Sequence, residues 1–176
     1  MQLEPLIELT RGGTPESLHF GAGVVPPGTG VVLNDSMSNF AYGDAKSINY
    51  VAPGKRPRSS MAPFLVFDAQ SGRLEQLVGS PGGSLIINYV AKTLIGVLDW
   101  KMDVQQAINL ANMGSRNKQT ELERGSVLEK LQPDLQRMGH RVTIMPFPSG
   151  VQAIMLDQQG IMGAADPRRE GSASGD

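Results

Sequence analysis

Cysteine is absent from the 176 residues, which removes disulfides, thiolate metal sites and cysteine nucleophiles together. Histidine is nearly absent: His19 and His140 are the only two, and their spacing does not suggest a metal cluster. No apolar run approaches the roughly eighteen residues of a membrane-spanning helix. The opening Met1-Gln2-Leu3-Glu4-Pro5 lacks the basic-then-apolar layout of a signal peptide. Neither sign of charge prevails, since 16 basic and 17 acidic side chains give a net charge of −1. A basic nucleic-acid face and an acidic solvating arm are therefore not indicated. Aromatic residues are scarce at 5%, and the single Trp100 and the nine methionines read as core or helix-end packing. What is present, 40% hydrophobic residues in a chain of this length, suits one well-buried core, so residues 1–176 read as a single domain.

Along the chain, Leu6 to Thr10 is a candidate short strand ending before Gly12 and Gly13. Residues 21–30 are dense in glycine and proline, a constrained loop. Val31-Val32-Leu33 predicts a short buried strand, and the polar cluster Asn34 to Asn39 follows it. Such a cluster suits a ligand loop, and equally an ordinary strand exit. Residues 41–50 are a polar surface excursion. Residues 53–63 carry three prolines and three basic residues around Ser59 and Ser60, a phosphate patch or a stiff solvated segment that positions two serines. Phe64 to Phe67 and Leu74 to Val78 predict a β-hairpin.

After the hairpin come Gly79-Ser80-Pro81-Gly82-Gly83-Ser84 and a long helical pattern from Ser84 to Trp100. A diglycine between strand and helix permits positive φ and leaves bare N–H groups at a helix start. Those groups suit an anion or the oxyanion formed when a carbonyl is attacked; the same sequence also makes a plain tight turn. Asp103 predicts the cap of a second helix, with Val104, Ala107, Ile108 and Ala111 on its apolar face. Ser126 and Glu129 suggest a capping box opening a third helix. There Leu128, Leu131, Leu135 and Met138 point inward, Pro133 kinks or breaks the helix, and Gly139 ends it. Three largely apolar segments, 141–145, 151–156 and 161–164, read as strands of one sheet, and residues 167–176 as a frayed tail in which Arg168 and Arg169 make ion pairs. Strands at both ends with helices between them indicate an α+β layered domain.

Taken in order, several of these segments resemble the small, C-terminal subunit of γ-glutamyltransferases, members of the N-terminal-nucleophile hydrolases. The matching blocks are residues 20–23 with 27–30, Val32 to Phe40, Lys55 to Pro63, Gly79 to Ser84, and Gly163 to Arg169. Residues 1–19 match poorly. The resemblance implies part of a four-layer αββα sandwich completed by a large subunit from the same precursor. It also implies γ-glutamyl transfer or hydrolysis, with glutathione-type donors, through a threonyl acyl-enzyme, and no cofactor or metal. A periplasmic or extracellular setting goes with that family.

By the matching motifs, Gly82 and Gly83 would form the oxyanion hole, and Ser59 and Ser60 would bind the donor's α-carboxylate. Asn34, Ser36 and Asn39 would receive its α-amino group, and Thr10 would help to position the nucleophile. Two departures stand out. The family's nucleophilic threonine begins the subunit, whereas Thr10 and Thr14 are internal here, so the nucleophile is expected outside this chain and the chain alone is expected to be inactive. Ser36 and Asn39 also stand where a glutamate or glutamine and an aspartate are usual, which replaces charge-assisted bonds to an ammonium with neutral ones. A related acylase acting on another amide, or a non-catalytic relative, are the alternatives.

Overall fold

The computed structural model describes residues 21–158 and 160–174; Thr10, Thr14, His19, Phe20 and the strand expected at residues 6–10 lie outside them. The fold is mixed α+β. Its strands are β1 (Phe64–Phe67), β2 (Leu74–Gly79), β3 (Met113–Ser115), β4 (Thr120–Glu123), β5 (Val142–Met145), β6 (Gln152–Leu156) and β7 (Ile161–Ala165). The α-helices are α1 (Ile86–Leu98), α2 (Val104–Asn109) and α3 (Gln132–Arg137).

Two sheets form. The larger runs β1-β2-β6-β7, antiparallel throughout. Its register puts Phe64, Val78, Ala153 and Ala164 in one row and Leu65, Leu77, Ile154 and Gly163 in the next. Because side chains alternate, these rows lie on opposite faces. The Val78 row joins the core, where Val78, Ala153 and Ala164 cluster with Ile86, Tyr89, Val90, Val97 and Ile108 from the two helices. Each buried valine or isoleucine of this cluster is worth about 1.5–3 kcal/mol. The helices meet at Gly96, where a Cβ would lie 2.8 Å from Ala107 Cβ, so only glycine lets α1 and α2 approach so closely. Asp103 caps α2 as expected, accepting from the backbone N–H of Gln105 and Gln106.

The smaller sheet, β3-β4-β5, corrects the expectation of one sheet at the C-terminal end. β5 pairs in parallel with β4, not with β6, because a 3₁₀ turn at Val127–Leu131 and then α3 carry the chain back across. That is the crossover a parallel pair requires. Ser126 and Glu129 do cap the turn: Ser126 Oγ accepts from Leu128 N–H, and Glu129 from Gly125 N–H at 2.6 Å. Pro133 falls in the first turn of α3, where its missing N–H costs nothing, so the pattern breaks into two short pieces as expected. The inward stripe is not found, for Leu131 and Met138 are 44% and 74% exposed and Leu128 and Leu135 only half-buried. A helix broken at its centre cannot keep one stripe in register with a core.

Val31–Leu33 forms no strand. Leu33 accepts from Ala22 N–H and donates to Val24 carbonyl, closing a local loop that leaves Val31 and Leu33 about half exposed. Among the described residues, Leu33 bonds only within its own turn, and no strand pairs with this stretch.

Candidate functional site

The residues singled out by sequence fall on three separate stretches: the turn at 34–39, the stiff segment at 53–60, and the diglycine. Two side chains join them. Asn49 donates from Nδ2 to the Asn39 carbonyl at 2.6 Å and accepts at Oδ1 from Arg58 N–H at 3.1 Å. Ser60 Oγ donates to the Gly83 carbonyl at 2.6 Å. The result is a continuous bonded path from Asn39 through Asn49, Arg58 and Ser60 to Gly83, across segments up to 44 positions apart by residue number (Asn39 to Gly83).

The diglycine sits where β2 gives way to helix. Gly82 has φ 129° and Gly83 φ 57°, values that a Cβ makes costly. Both residues are buried, and a short 3₁₀ turn at Gly83–Leu85 leads into α1. Neither the Gly82 nor the Gly83 N–H is used in a hydrogen bond among the described residues. Two adjacent unused donors at a helix start are a ready site for developing negative charge.

What holds this turn was not legible beforehand. A Cβ on Gly82 would lie 2.5 Å from Cε2 of Tyr89, so the turn rests on that ring. Tyr89 is fully buried and meets Phe147 edge to face, with centroids 6.2 Å apart. Its hydroxyl has no partner among the described residues, and burial pushes the phenol well above its ordinary pKa. On the other side, Pro81 packs on Gly150, and the buried Ser80 hydroxyl donates to the Pro81 carbonyl. Behind Gly150 lies a buried polar knot. Ser149 Oγ donates to Asp166 at 2.6 Å and accepts from Asn112 Nδ2, while Arg168 binds Asp166 and Glu123. Burial opposes the charge on Arg168, but Glu123 and Asp166 outweigh it and hold the guanidinium more firmly protonated than usual. Arg169 reaches the Pro148 carbonyl. The sequence signal for this knot is Pro148-Ser149-Gly150, a turn sequence in front of a strand.

The 34–39 turn is built locally. Asn34 Oδ1 accepts from Ser36 N–H at 3.0 Å, and a 3₁₀ turn covers Ser36–Asn39. Asn34 and Ser36 are exposed, Asn39 half-buried. Ser59 is exposed; its Oγ accepts from Met61 N–H at 3.2 Å, which leaves the hydroxyl hydrogen for a ligand. Ser60 has already given its hydrogen to Gly83, so the two serines are not chemically equivalent here. Among the described residues no cluster of His, Asp and Glu could hold a metal ion, and no helix is long and apolar enough to cross a membrane.

A pocket of about 780 Å³ lies away from the diglycine, lined by residues that include Gln106, Leu110, Glu123, Ser126 and Arg168. At its margin Lys92 donates to the carbonyls of Ile108 and Leu110, and burial, reinforced by Arg168, lowers its pKa to about 8.

The family profile described as Gamma-glutamyltranspeptidase matches residues 16–176. The chain is 33% identical over 161 residues to a glutathione hydrolase proenzyme of Bacillus subtilis, covering 89% of this chain and 27% of that protein. It is 32% identical over 155 residues to the acylase ACY 1 proenzyme of a Pseudomonas species, again over 27% of the relative. The chain thus spans about a quarter of the length of the curated relatives it matches. Among solved structures, γ-glutamyltranspeptidase of Pseudomonas nitroreducens superposes with a TM-score of 0.75 at 26% identity, covering 90% of this chain and 88% of the other. The Helicobacter pylori enzyme gives 0.72 at 26% identity, over 87% and 89%.

Proposed function

This chain belongs to the γ-glutamyltranspeptidase family, and from that premise we propose that it supplies the donor-binding and oxyanion side of an enzyme that transfers or hydrolyses γ-glutamyl groups. The observation that carries the proposal is the bonded path from Asn39 to the Gly83 carbonyl, which ties both polar loops to the diglycine turn whose N–H groups are unused among the described residues.

In this reading a hydroxyl from outside the described residues, that of an N-terminal threonine, attacks the donor's γ-carbonyl. The threonine's own α-amine takes the proton, which overcomes the weakness of a free hydroxyl as a nucleophile. The carbonyl oxygen becomes an oxyanion and accepts from Gly82 and Gly83 N–H. The carbon–nitrogen bond then breaks, and the departing amine leaves with the proton held by the base. Water or an acceptor amine attacks the resulting ester, loses a proton to the same base, and frees the threonine hydroxyl.

Ser59 donates its free hydroxyl hydrogen to the donor's α-carboxylate, and Ser60 joins it by turning from the Gly83 carbonyl or else stays to hold the turn. Asn34, Ser36 and Asn39 face the α-amino group. With Ser36 and Asn39 neutral where acidic or amide partners are usual, those two positions select for an ammonium less strongly than charged ones. This feature, with the likeness to an acylase proenzyme, favours a second reading: an acylase for amides without an α-amino group.

A large subunit from the same precursor completes the site. Among the described residues the helices cover one face of the large sheet, while Leu65, at its edge on the other face, is 53% exposed. Phe64, Phe67, Ile161 and Met162 at the two edges are also about half exposed, a surface that suits a partner. The test is release of the amine from a γ-glutamyl anilide by the chain assembled with that partner. Turnover supports the proposal. Hydrolysis of a glutaryl anilide in preference to the γ-glutamyl one favours the acylase, and turnover of neither overturns both readings.

A further inference from the structure

We propose that Asn49 is a specificity-determining positioning residue, a ruler that fixes the distance between the carboxylate-binding serines and the amino-binding loop. The inference rests on the γ-glutamyl reading above and adds a residue that no matching motif assigns.

Asn49 belongs to neither loop, yet it bonds both. Its Nδ2 donates to the Asn39 carbonyl at 2.6 Å, and its Oδ1 accepts from Arg58 N–H at 3.1 Å, one residue before Ser59. Its own carbonyl accepts from Ala41 N–H at 3.0 Å, so the Asn39 side is gripped at two points. Asn49 N–H donates to Ser47 Oγ, and the neighbouring Tyr50 carbonyl receives Lys55 Nζ, which folds the 47–55 excursion around the asparagine. Asn49 is half-buried, while Ser36, Arg58 and Ser59 around it are exposed. The exposed segments therefore take their relative position from a side chain that is itself held.

The chemistry requires an amide. A primary carboxamide presents a donor and an acceptor in one rigid plane, so a single side chain can bond a carbonyl of one segment and an N–H of another. Aspartate keeps the acceptor for Arg58 and loses the donor to Asn39; leucine keeps the volume and loses both. A donor molecule that bears a carboxylate and an ammonium on one carbon gains from two anchors only if their separation matches. A molecule bearing one of the two groups has no separation to match.

The experiment compares three anilides on the chain assembled with its large-subunit partner: γ-glutamyl, glutaryl (no amino group) and 4-aminobutyryl (no carboxylate). In Asn49→Leu the KM for the γ-glutamyl donor is expected to rise about tenfold, as for loss of two partly exposed hydrogen bonds. The KM values for the two single-anchor donors change less than about twofold, kcat for all three stays within about threefold, and Asn49→Asp falls between wild type and leucine. Equal KM losses for all donors, or a loss confined to kcat, overturn the ruler while leaving the γ-glutamyl reading standing. Failure of the wild-type assembly to turn over the γ-glutamyl anilide removes that reading and the ruler with it. Hydrogen exchange guards against a folding artefact: in Asn49→Leu, amides 39–41 and 58–60 exchange faster together while α1 is unchanged. Faster exchange throughout α1 marks a general structural role and also overturns the proposal.

Discussion

Replacing Gly82 with alanine places one methyl group at the tightest point of the site. Two costs follow from the geometry. At φ 129° an L-residue occupies a region nearly reserved for glycine, worth about 1–3 kcal/mol. The new Cβ would also lie 2.5 Å from Tyr89 Cε2, and the ring has nowhere to go, being fully buried and clamped edge to face by Phe147. Overpacking of this kind costs roughly another 1–3 kcal/mol. The total, about 2–6 kcal/mol, corresponds to a drop of at least about 0.7 M in the urea midpoint when m is about 1–3 kcal/mol/M. A double-mutant cycle separates the two costs. Tyr89→Leu removes the ring, so Gly82→Ala in that background loses only the backbone share, and the coupling comes out at roughly 1–3 kcal/mol. A Gly82→Ala midpoint within about 0.3 M of wild type would refute the reasoning. So would a cycle with no coupling, because the turn would then not rest on Tyr89.

Other outcomes follow from the same contacts. Tyr89→Phe is expected to raise stability by about 1 kcal/mol, since it removes a buried hydroxyl that has no partner among the described residues; a loss of similar size would mean the hydroxyl is satisfied. Ser60→Ala frees the Gly83 carbonyl and loosens the diglycine, so in the assembled enzyme kcat should fall about tenfold, short of the hundredfold or more for losing an oxyanion donor outright. An effect on KM alone would assign Ser60 to the carboxylate instead. Lys92 has a folded pKa of about 8, below its unfolded value of 10.5, so between those pH values the unfolded chain holds more protons and stability rises with pH. Urea midpoints at pH 7.5 and 9.5 should therefore diverge more in wild type than in Lys92→Met; an identical pH dependence in both would contradict the buried cation.

The parts of the fold that local chemistry dictates were legible in the sequence. The hairpin into the diglycine, the Asp103 cap and the break at Pro133 each follow from residue types within a few positions. β3 and β4 were not, because Met113-Gly114-Ser115 and Thr120-Glu121-Leu122-Glu123 are short and polar. Glu121 is buried with Arg116 pairing it 2.5 Å away, and the partly buried Glu123 is met by Arg168 from the C-terminal end of the chain. Such pairings have no signature in local periodicity. At the site, the motif residues were visible, but the asparagine and the tyrosine that hold them were not. Asn49 sits in a polar excursion and Tyr89 in a helical stripe, and only the folded chain brings each to its partners.

The most direct measurement is a structure of the chain, assembled with the proposed large-subunit partner, bound to a γ-glutamyl phosphonate that mimics the tetrahedral intermediate. One phosphonyl oxygen is expected at about 2.7–3.1 Å from both the Gly82 and the Gly83 nitrogen, with the α-carboxylate on Ser59. A phosphonyl oxygen bound elsewhere, with the diglycine amides left without a ligand, would contradict the oxyanion role of Gly82 and Gly83.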